Sequence, residues 1–384
     1  MSFILTASLK DGQLVVLTAE RERSALREWR RTERFYCPLC RKAVHLKVGD
    51  IVIPHFAHEK RSACTQSFSE GESPQHLNGK RLLFELLSAR AEKVILEPVI
   101  QEVSQRPDLL VTNGAIQTPI EFQCSTIPLS LLQSRTEGFR SIGMDPEWIL
   151  HTPKKLLHQR YGIGVFQLTK FQEWFMTTIP LESRYLLTFN PQTKTFHYFS
   201  HLLHVAGQRY IGIHQSLPIR FQHFPFVLPK PPSMVDLTDY AARYSSMRED
   251  GLKQSILLNR KGVQNPFLRS CYELRTVPVQ LPHWIGVPTT KSEAFREADY
   301  EWQLRLIHFM RREGVAISHI RTRHFERFVY QFSDSSSDKI DACREYIEFL
   351  IQKKFGLQLQ KTECKENLIM TLISARFLAS KAQN

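Results

Sequence analysis

Apolar and polar positions along the chain switch between short strand-like runs and helical spacing, and these switches predict its elements. The opening MSFILTASLKDGQLVVL reads as two short strands joined by a hairpin turn at Asp11-Gly12. Thr18 then stands as cap of a short, highly charged helix running to Trp29. Ser73-Pro74 opens the next helix: serine caps an end N–H, and proline at the first helical position needs none. Leu77, Leu83, Phe84 and Leu87 give QHLNGKRLLFELLSAR its helical apolar spacing. Three strand-like runs follow, VILEPVI, RPDLLVT and PIEFQCS. Asn113-Gly114 after the second run favours a tight turn, since both residues tolerate positive φ. A helix from about Leu129 to Ile142 leads to a fourth strand, EWILHT. The predicted order is helix, three strands, helix, strand.

From Tyr161 to about Phe226 the pattern is short and aromatic, with YLLTFNPQTKTFHYFS as a hairpin turning at Asn190-Pro191 and the proline-rich VLPKPPSM closing it. Beyond lie three amphipathic helices, EAFREADYEWQLRLIHFMRR, IDACREYIEFLIQKK and ENLIMTLISARFLASK, with Gly314 and Gly356 where C-caps belong. The run SDSSS from Ser333 to Ser337 is a short polar loop. With a boundary at the polar stretch SFSEGESP, the expectation is an α+β protein in three parts. These are a hairpin and zinc-finger-like unit over 1–67, a mixed-sheet core over 68–158, and a C-terminal part over 159–384. The last is a β segment to about residue 230, followed by a mainly helical region.

A hydrophobic share of 42% supplies sizeable cores and excludes a disordered chain. Lys plus Arg exceed Asp plus Glu by 13, with a pI near 9.4, which favours polyanionic partners such as nucleic acid. The opening segment lacks the charged leader and cleavage site of a signal peptide, and no apolar run approaches the ~20 residues that span a bilayer. The expected location is cytoplasmic, where the seven cysteines are ligands or buried thiols.

Cys37-Pro-Leu-Cys40 is a knuckle whose two thiols can face one metal ion, followed by His55, His58 and Cys64. Val48-Gly49-Asp50 supplies a turn that brings the histidines back. Five candidates compete for four places on a structural Zn²⁺. The preferred set is Cys37, Cys40, His58 and Cys64, with His55 the alternate, because 55 and 58 face opposite ways on an extended strand. The plainer alternative is a reduced, buried CxxC with surface histidines.

A second constellation is Arg106-Pro-Asp108, twelve residues, then Glu121-Phe-Gln123. Alternate residues share a strand face, so Glu121 and Gln123 project together while Phe122 packs inward. The hairpin places Asp108 and Glu121 within reach of one hard cation. Mg²⁺ or Mn²⁺ suits such a site; it would lower the pKa of a water and neutralise a leaving oxygen.

These strings, in this element order, resemble the PD-(D/E)XK phosphodiesterase fold. Together with FYCPLCRKAVHLKVGDIVIPHFAH, SPQHLNGKRLLFELL, RPDLLV, IEFQCS, Arg135 and Trp148-Ile149-Leu150, they resemble the CoiA-like competence proteins over residues 30 to 160 or so. The resemblance implies a nuclease core of order αβββαβ with Asp108, Glu121 and Gln123 as catalytic residues, and a part in natural transformation. Many nucleases of this fold carry lysine where Gln123 stands; glutamine orients a water without adding charge. Arg106 is a candidate for the missing charge. His76 and Lys80, one turn apart, face the same cleft; His76 and Glu97 are secondary metal candidates, and Lys80, Arg106 and Arg135 supporting or DNA-binding ones.

Aromatic and basic residues mix through 160–226, as single-stranded nucleic acid requires, although alternating rings fit a sheet core better. Arg311, Arg312, Arg321, Arg323 and Arg327 form a basic run that contacts DNA or a partner, or is a solvated face. Two functions stand against each other. One is a Mg/Mn-dependent phosphodiesterase cutting single-stranded or branched DNA. The other is a non-catalytic mediator that grips DNA and aids a recombinase or other competence proteins, recruited to the uptake machinery.

Overall fold

A computed structural model describes residues 3–17, 21–58, 73–179, 183–332, 336–356, 359 and 367–378. Thr18, Cys64, most of SFSEGESP and part of the SDSSS loop lie outside them. The N-terminal strands are too short to stand alone and satisfy their backbones in one six-stranded sheet. It is formed by β1 (Phe3–Ile4), β2 (Thr6–Ser8), β3 (Leu14–Val16), β4 (Phe35–Tyr36), β5 (Ala43–Lys47) and β6 (His55–His58), in the order β1-β6-β5-β4-β2-β3. Strand β5 shows the two-residue period, with Val44 and Leu46 buried and Ala43, His45 and Lys47 exposed. The expected Asp11-Gly12 turn joins β2 to β3. Helix α1 (Arg23–Thr32) begins after Glu22, whose side chain makes no cap hydrogen bond; the charged helix thus starts later than expected.

The second sheet starts behind α2 (Pro74–Ser88), whose Ser73 hydroxyl accepts from the His76 N–H at 3.2 Å. Strands β7 (Lys93–Leu96), β8 (Leu109–Asn113) and β9 (Ile116–Gln123), helix α3 (Leu129–Ser141) and strand β10 (Glu147–His151) follow in the predicted order. Strands β7, β8 and β9 are antiparallel, while β10 lies parallel to β9, giving a mixed sheet. Asn113 pairs with Ile116, so the turn itself is Gly114-Ala115 and Gly114 alone takes positive φ; Asn113 instead accepts from the Glu92 N–H. Gly79 sets how closely α2 approaches. A Cβ there would stand 2.1 Å from the Phe122 ring, so a larger residue would push the helix off β9. Glycine inside a helix costs about 1 kcal/mol relative to alanine, and close packing is what it gains.

The sheet does not end at residue 158. After α4 (Lys154–Leu157) come β11 (Gly162–Gln167), α5 (Lys170–Trp174), β12 (Met176–Ile179), β13 (Ser183–Asn190), β14 (Thr195–Ala206) and β15 (Arg209–Pro218). Strand β13 pairs parallel to β10, and the path runs β11-β15-β14-β13-β10-β9-β8-β7 with β12 also on β13. The aromatic segment therefore continues the central sheet across the boundary expected at 158–159. Its Tyr185, Phe189, Phe196, Tyr198 and Phe199 are buried, as the core alternative requires.

One apolar cluster joins both sheets, holding Leu5, Phe35 and Phe56 together with Leu77, Leu83, Ile120, Phe122 and Phe189. Helices α6 (Met234–Leu257) and α11 (Leu368–Leu378) cover β14 and β15 through Tyr240, Tyr244 and Phe377. Helices α7 (Pro266–Glu273), α8 (Asp299–Arg312), α9 (Thr322–Val329) and α10 (Ser337–Gln352) share a separate core around Trp302, Phe328 and Tyr346. Gly314 takes φ +64° just past α8, as a C-cap glycine does. After α10 it is Lys354 that turns left-handed, at φ +56°, in place of the expected Gly356.

Candidate functional site

In the ladder between β8 and β9, Leu109 lies opposite Ile120, so Asp108 and Glu121 are the next positions outward. Both are buried. The Asp108 side chain curls over the strand end, where its Oδ2 accepts from the Phe122 N–H and from His76 Nε2, each at 2.9 Å. Lys80 Nζ stands 3.4 Å from Oδ1. Glu121 ion-pairs with Arg135 of α3, which also donates to the Arg106 carbonyl at 3.4 Å. The hairpin thus brings two carboxylates together, with α2 and α3 supplying cations from their sides.

Burial raises the Asp108 carboxyl, but the charges of His76 and Lys80 and the bonds from His76 and Phe122 hold it well below the usual range. Glu121 goes the other way. Burial pushes it up to about 7, Arg135 only partly offsets this, and the charge of Asp108 adds to the rise. Two buried acids of which the second resists ionisation form a hard-oxygen pair that a divalent cation would suit.

Glu97 follows β7 with φ +50°, a left-handed conformation that costs a non-glycine residue ~1–2 kcal/mol. The turn aims its carboxylate at the N-terminal sheet. It accepts from the Leu5 N–H at 3.1 Å, the Thr6 N–H at 3.0 Å and the Thr6 hydroxyl at 2.6 Å, and it pairs with Lys80 at 2.6 Å. These donors take up the acceptor positions a cation would need. Burial raises the Glu97 carboxyl, yet Lys80 and Arg106 bring it below its ordinary value. Lys80 has no exposed surface, so it offers nothing to a DNA backbone. Gln123 is partly buried and donates from Nε2 to the Ser125 carbonyl at 2.7 Å. The structure thus gathers His76, Lys80, Glu97, Asp108, Glu121 and Arg135. Leu5, Thr6 and Gly79 were missed by sequence reasoning; only Gly79, an isolated glycine among long helix formers, carried a signal.

The knuckle forms a second centre. Cys37 and Arg41 close the turn through backbone bonds, Cys37 N–H to Lys42 O at 2.8 Å and Arg41 N–H to Cys37 O at 2.9 Å. Cys40 Sγ lies 3.3 Å from His58 Nε2. Among the described residues, only Cys37, Cys40 and His58 bring three donor atoms within 4.8 Å of one another. Both thiols are free of disulfides, and a sulfur and imidazole set fits a borderline-soft metal ion. His55 is not one of this set, and its Nδ1 lies 2.9 Å from the Ile53 carbonyl oxygen. The charge of Arg106 contributes to lowering both the His58 and the Glu97 pKa, so it bears on both centres. Arg311, Arg312, Arg321, Arg323 and Arg327 are all exposed, and Arg327 pairs with Glu313 at 2.6 Å.

Three family models match the chain. Residues 18–67 match "Competence protein CoiA, N-terminal domain", residues 72–231 "Competence protein CoiA, nuclease-like domain", and residues 252–374 "Competence protein CoiA, C-terminal domain". The nuclease-like match runs through β15, where the central sheet also ends. "Competence protein CoiA" of Bacillus subtilis (strain 168) is 29% identical over 342 residues, covering 85% of this chain and 88% of that protein. No solved structure matches significantly.

Proposed function

The chain belongs to the CoiA family of competence proteins, and we propose that its nuclease-like domain is a divalent-cation-dependent DNA nuclease acting on single-stranded or branched DNA. The observation that carries this is the pair of buried carboxylates, Asp108 just before β8 and Glu121 on β9. Mg²⁺ or Mn²⁺ held there supplies a water of lowered pKa and a counter-charge for the leaving oxygen. Asp108, ionised under His76 and Lys80, is the fixed ligand. Glu121 completes the pair when it ionises, with Arg135 holding its position. His76 is close enough to Asp108 to join the ligand shell. Glu97, engaged by Leu5, Thr6 and Lys80, stays outside it. Gln123 orients a water without adding charge. Cys37, Cys40 and His58 hold structural Zn²⁺, with Cys64 as the fourth ligand by sequence. The excess of 13 positive charges favours the DNA backbone as partner, and no described helix is long and apolar enough to cross a membrane.

One observation favours a second possibility. Lys80 beside Asp108 is sealed from solvent and Gln123 is neutral, so among the described residues no lysine is seen presented to a phosphate at the carboxylates. A cleft that grips DNA and aids recombinase loading would need none. Purified protein should cut labelled single-stranded or forked DNA with Mn²⁺ or Mg²⁺, and Asp108→Ala should abolish cutting. If wild type and Asp108→Ala both bind DNA, neither cuts, and the variant still supports transformation, the enzyme gives way to the mediator. Freshly purified protein should carry one equivalent of zinc, and Cys40→Ser should lose it.

A further inference from the structure

We propose that Glu97 and Lys80 are positioning residues that couple the N-terminal sheet to Asp108, so that this sheet is part of the nuclease-like site; this rests on the metal pair proposed above. The links are continuous. The chain bends between β1 and β2, which turns the Leu5 and Thr6 N–H groups and the Thr6 hydroxyl onto Glu97. Glu97, aimed by its left-handed backbone, fixes Lys80 Nζ at 2.6 Å. Lys80, one turn past His76 on α2, reaches Asp108 Oδ1 at 3.4 Å, while His76 and the Phe122 N–H hold the other oxygen. Every member is buried or partly buried. The same apolar cluster packs the two sheets together around these links, so neither end can shift without the other. Glu97 therefore acts through Lys80, and neither residue touches the reacting atoms. The N-terminal unit is on this account no detachable finger. It is a wall of the site, joined to it through Glu97 and Lys80.

The test is Mn²⁺ alone, titrated into the full chain and read by the paramagnetic resonance of free Mn²⁺ or by calorimetry. The double variant Lys80→Met/Glu97→Gln removes both charges of the pair, so net charge and long-range attraction for the cation are unchanged. If these residues position Asp108, its Mn²⁺ dissociation constant rises about tenfold, as for other groups that orient a metal ligand. Thr6→Val removes only the hydroxyl and should weaken Mn²⁺ by about threefold. Thr6→Ser restores it. Far-UV circular dichroism and thermal melts establish that each variant is folded, and Thr6→Val carries the test if the double variant is not. Dissociation constants within twofold of wild type overturn the coupling, provided Asp108→Ala removes the Mn²⁺ site. If Asp108→Ala binds Mn²⁺ as wild type does, the metal pair itself is wrong and the coupling falls with it.

Discussion

Asp108 and Asp299 are both buried aspartates, but their partners differ in kind. Asp108 sits among His76, Lys80 and a backbone N–H, with a second acid, Glu121, beside it. Asp299, at the start of α8, is held by neutral donors, the Tyr244 hydroxyl and the Trp302 Nε1–H at 3.0 Å. Burial pushes its carboxyl up to about 6, although the bonds from Tyr244, Trp302 and Ser292 and the charge of Arg376 pull it down. A buried acid by itself therefore does not mark a site. Asp299 serves the helical core around Trp302, where a group that ionises reluctantly is sufficient. Asp108 is kept ionised by cations and lies against a second carboxylate, an arrangement with two sets of acid oxygens to offer a ligand.

Removing charge at each position should break the two apart most clearly. Asp108→Asn keeps an acceptor for the Phe122 N–H and loses the charge, so DNA cleavage should fall by about 10³-fold, the loss of several kcal/mol of transition-state stabilisation. Asp299→Asn should leave the cleavage rate within about twofold, because its partners are remote from the carboxylate pair. Equal losses in the two variants, measured on the same labelled fork, would erase the distinction.

The next effect is on stability. Lys80→Met leaves the enclosed Glu97 carboxylate without its cation, and breaking a buried pair from one side costs about 3–5 kcal/mol. Arg140 pairs with Asp145 at 2.7 Å, but their side chains are 62% and 77% exposed. Arg140→Met should therefore cost less than about 1 kcal/mol. Urea unfolding of both variants decides whether cations support the buried acids. Similar midpoints for the two would mean that they do not.

Sequence reasoning reached these regions unequally, for a physical reason. The Ser73 cap, the Asn113-Gly114 turn region and the spacing from Asp108 to Gln123 are local, so the helix and hairpin that carry Asp108 and Glu121 were legible. So was the knuckle, where Cys37 and Cys40 are three residues apart. The parallel pairing of β10 with β13 joins residues nearly forty positions apart and leaves no local trace; a proline-rich stretch and a change of pattern were all that showed. The contact of Thr6 with Glu97 spans 91 positions, and in sequence Glu97 is a strand-end acid and secondary metal candidate with no sign of the N–H groups it meets. Asp299 was passed over for a related reason. At the head of an amphipathic helix an aspartate is the expected first-turn residue, and only packing shows that it points inward.

The smallest effect, and the finest probe of the contrast, is the pH dependence of stability. The folded-state value of Asp299, about 6, lies above its ordinary 3.8. Between those values the unfolded chain has already released the proton that the folded chain retains, so this residue's contribution to stability falls as pH rises and levels off above about 6. Asp108 and Glu97 are depressed, so their contributions have the opposite sign: present above the ordinary carboxylate range and lost as pH falls below it. Asp299→Asn removes only the first trend. The stability of D299N relative to wild type should therefore improve between pH 4 and pH 7 by roughly 2–3 kcal/mol, at 1.36 kcal/mol for each pKa unit. Urea titrations at four pH values would measure it. A difference that stays flat with pH would mean that Asp299 ionises as easily as an exposed acid, and neutral donors would then suffice to hold a buried carboxylate charged.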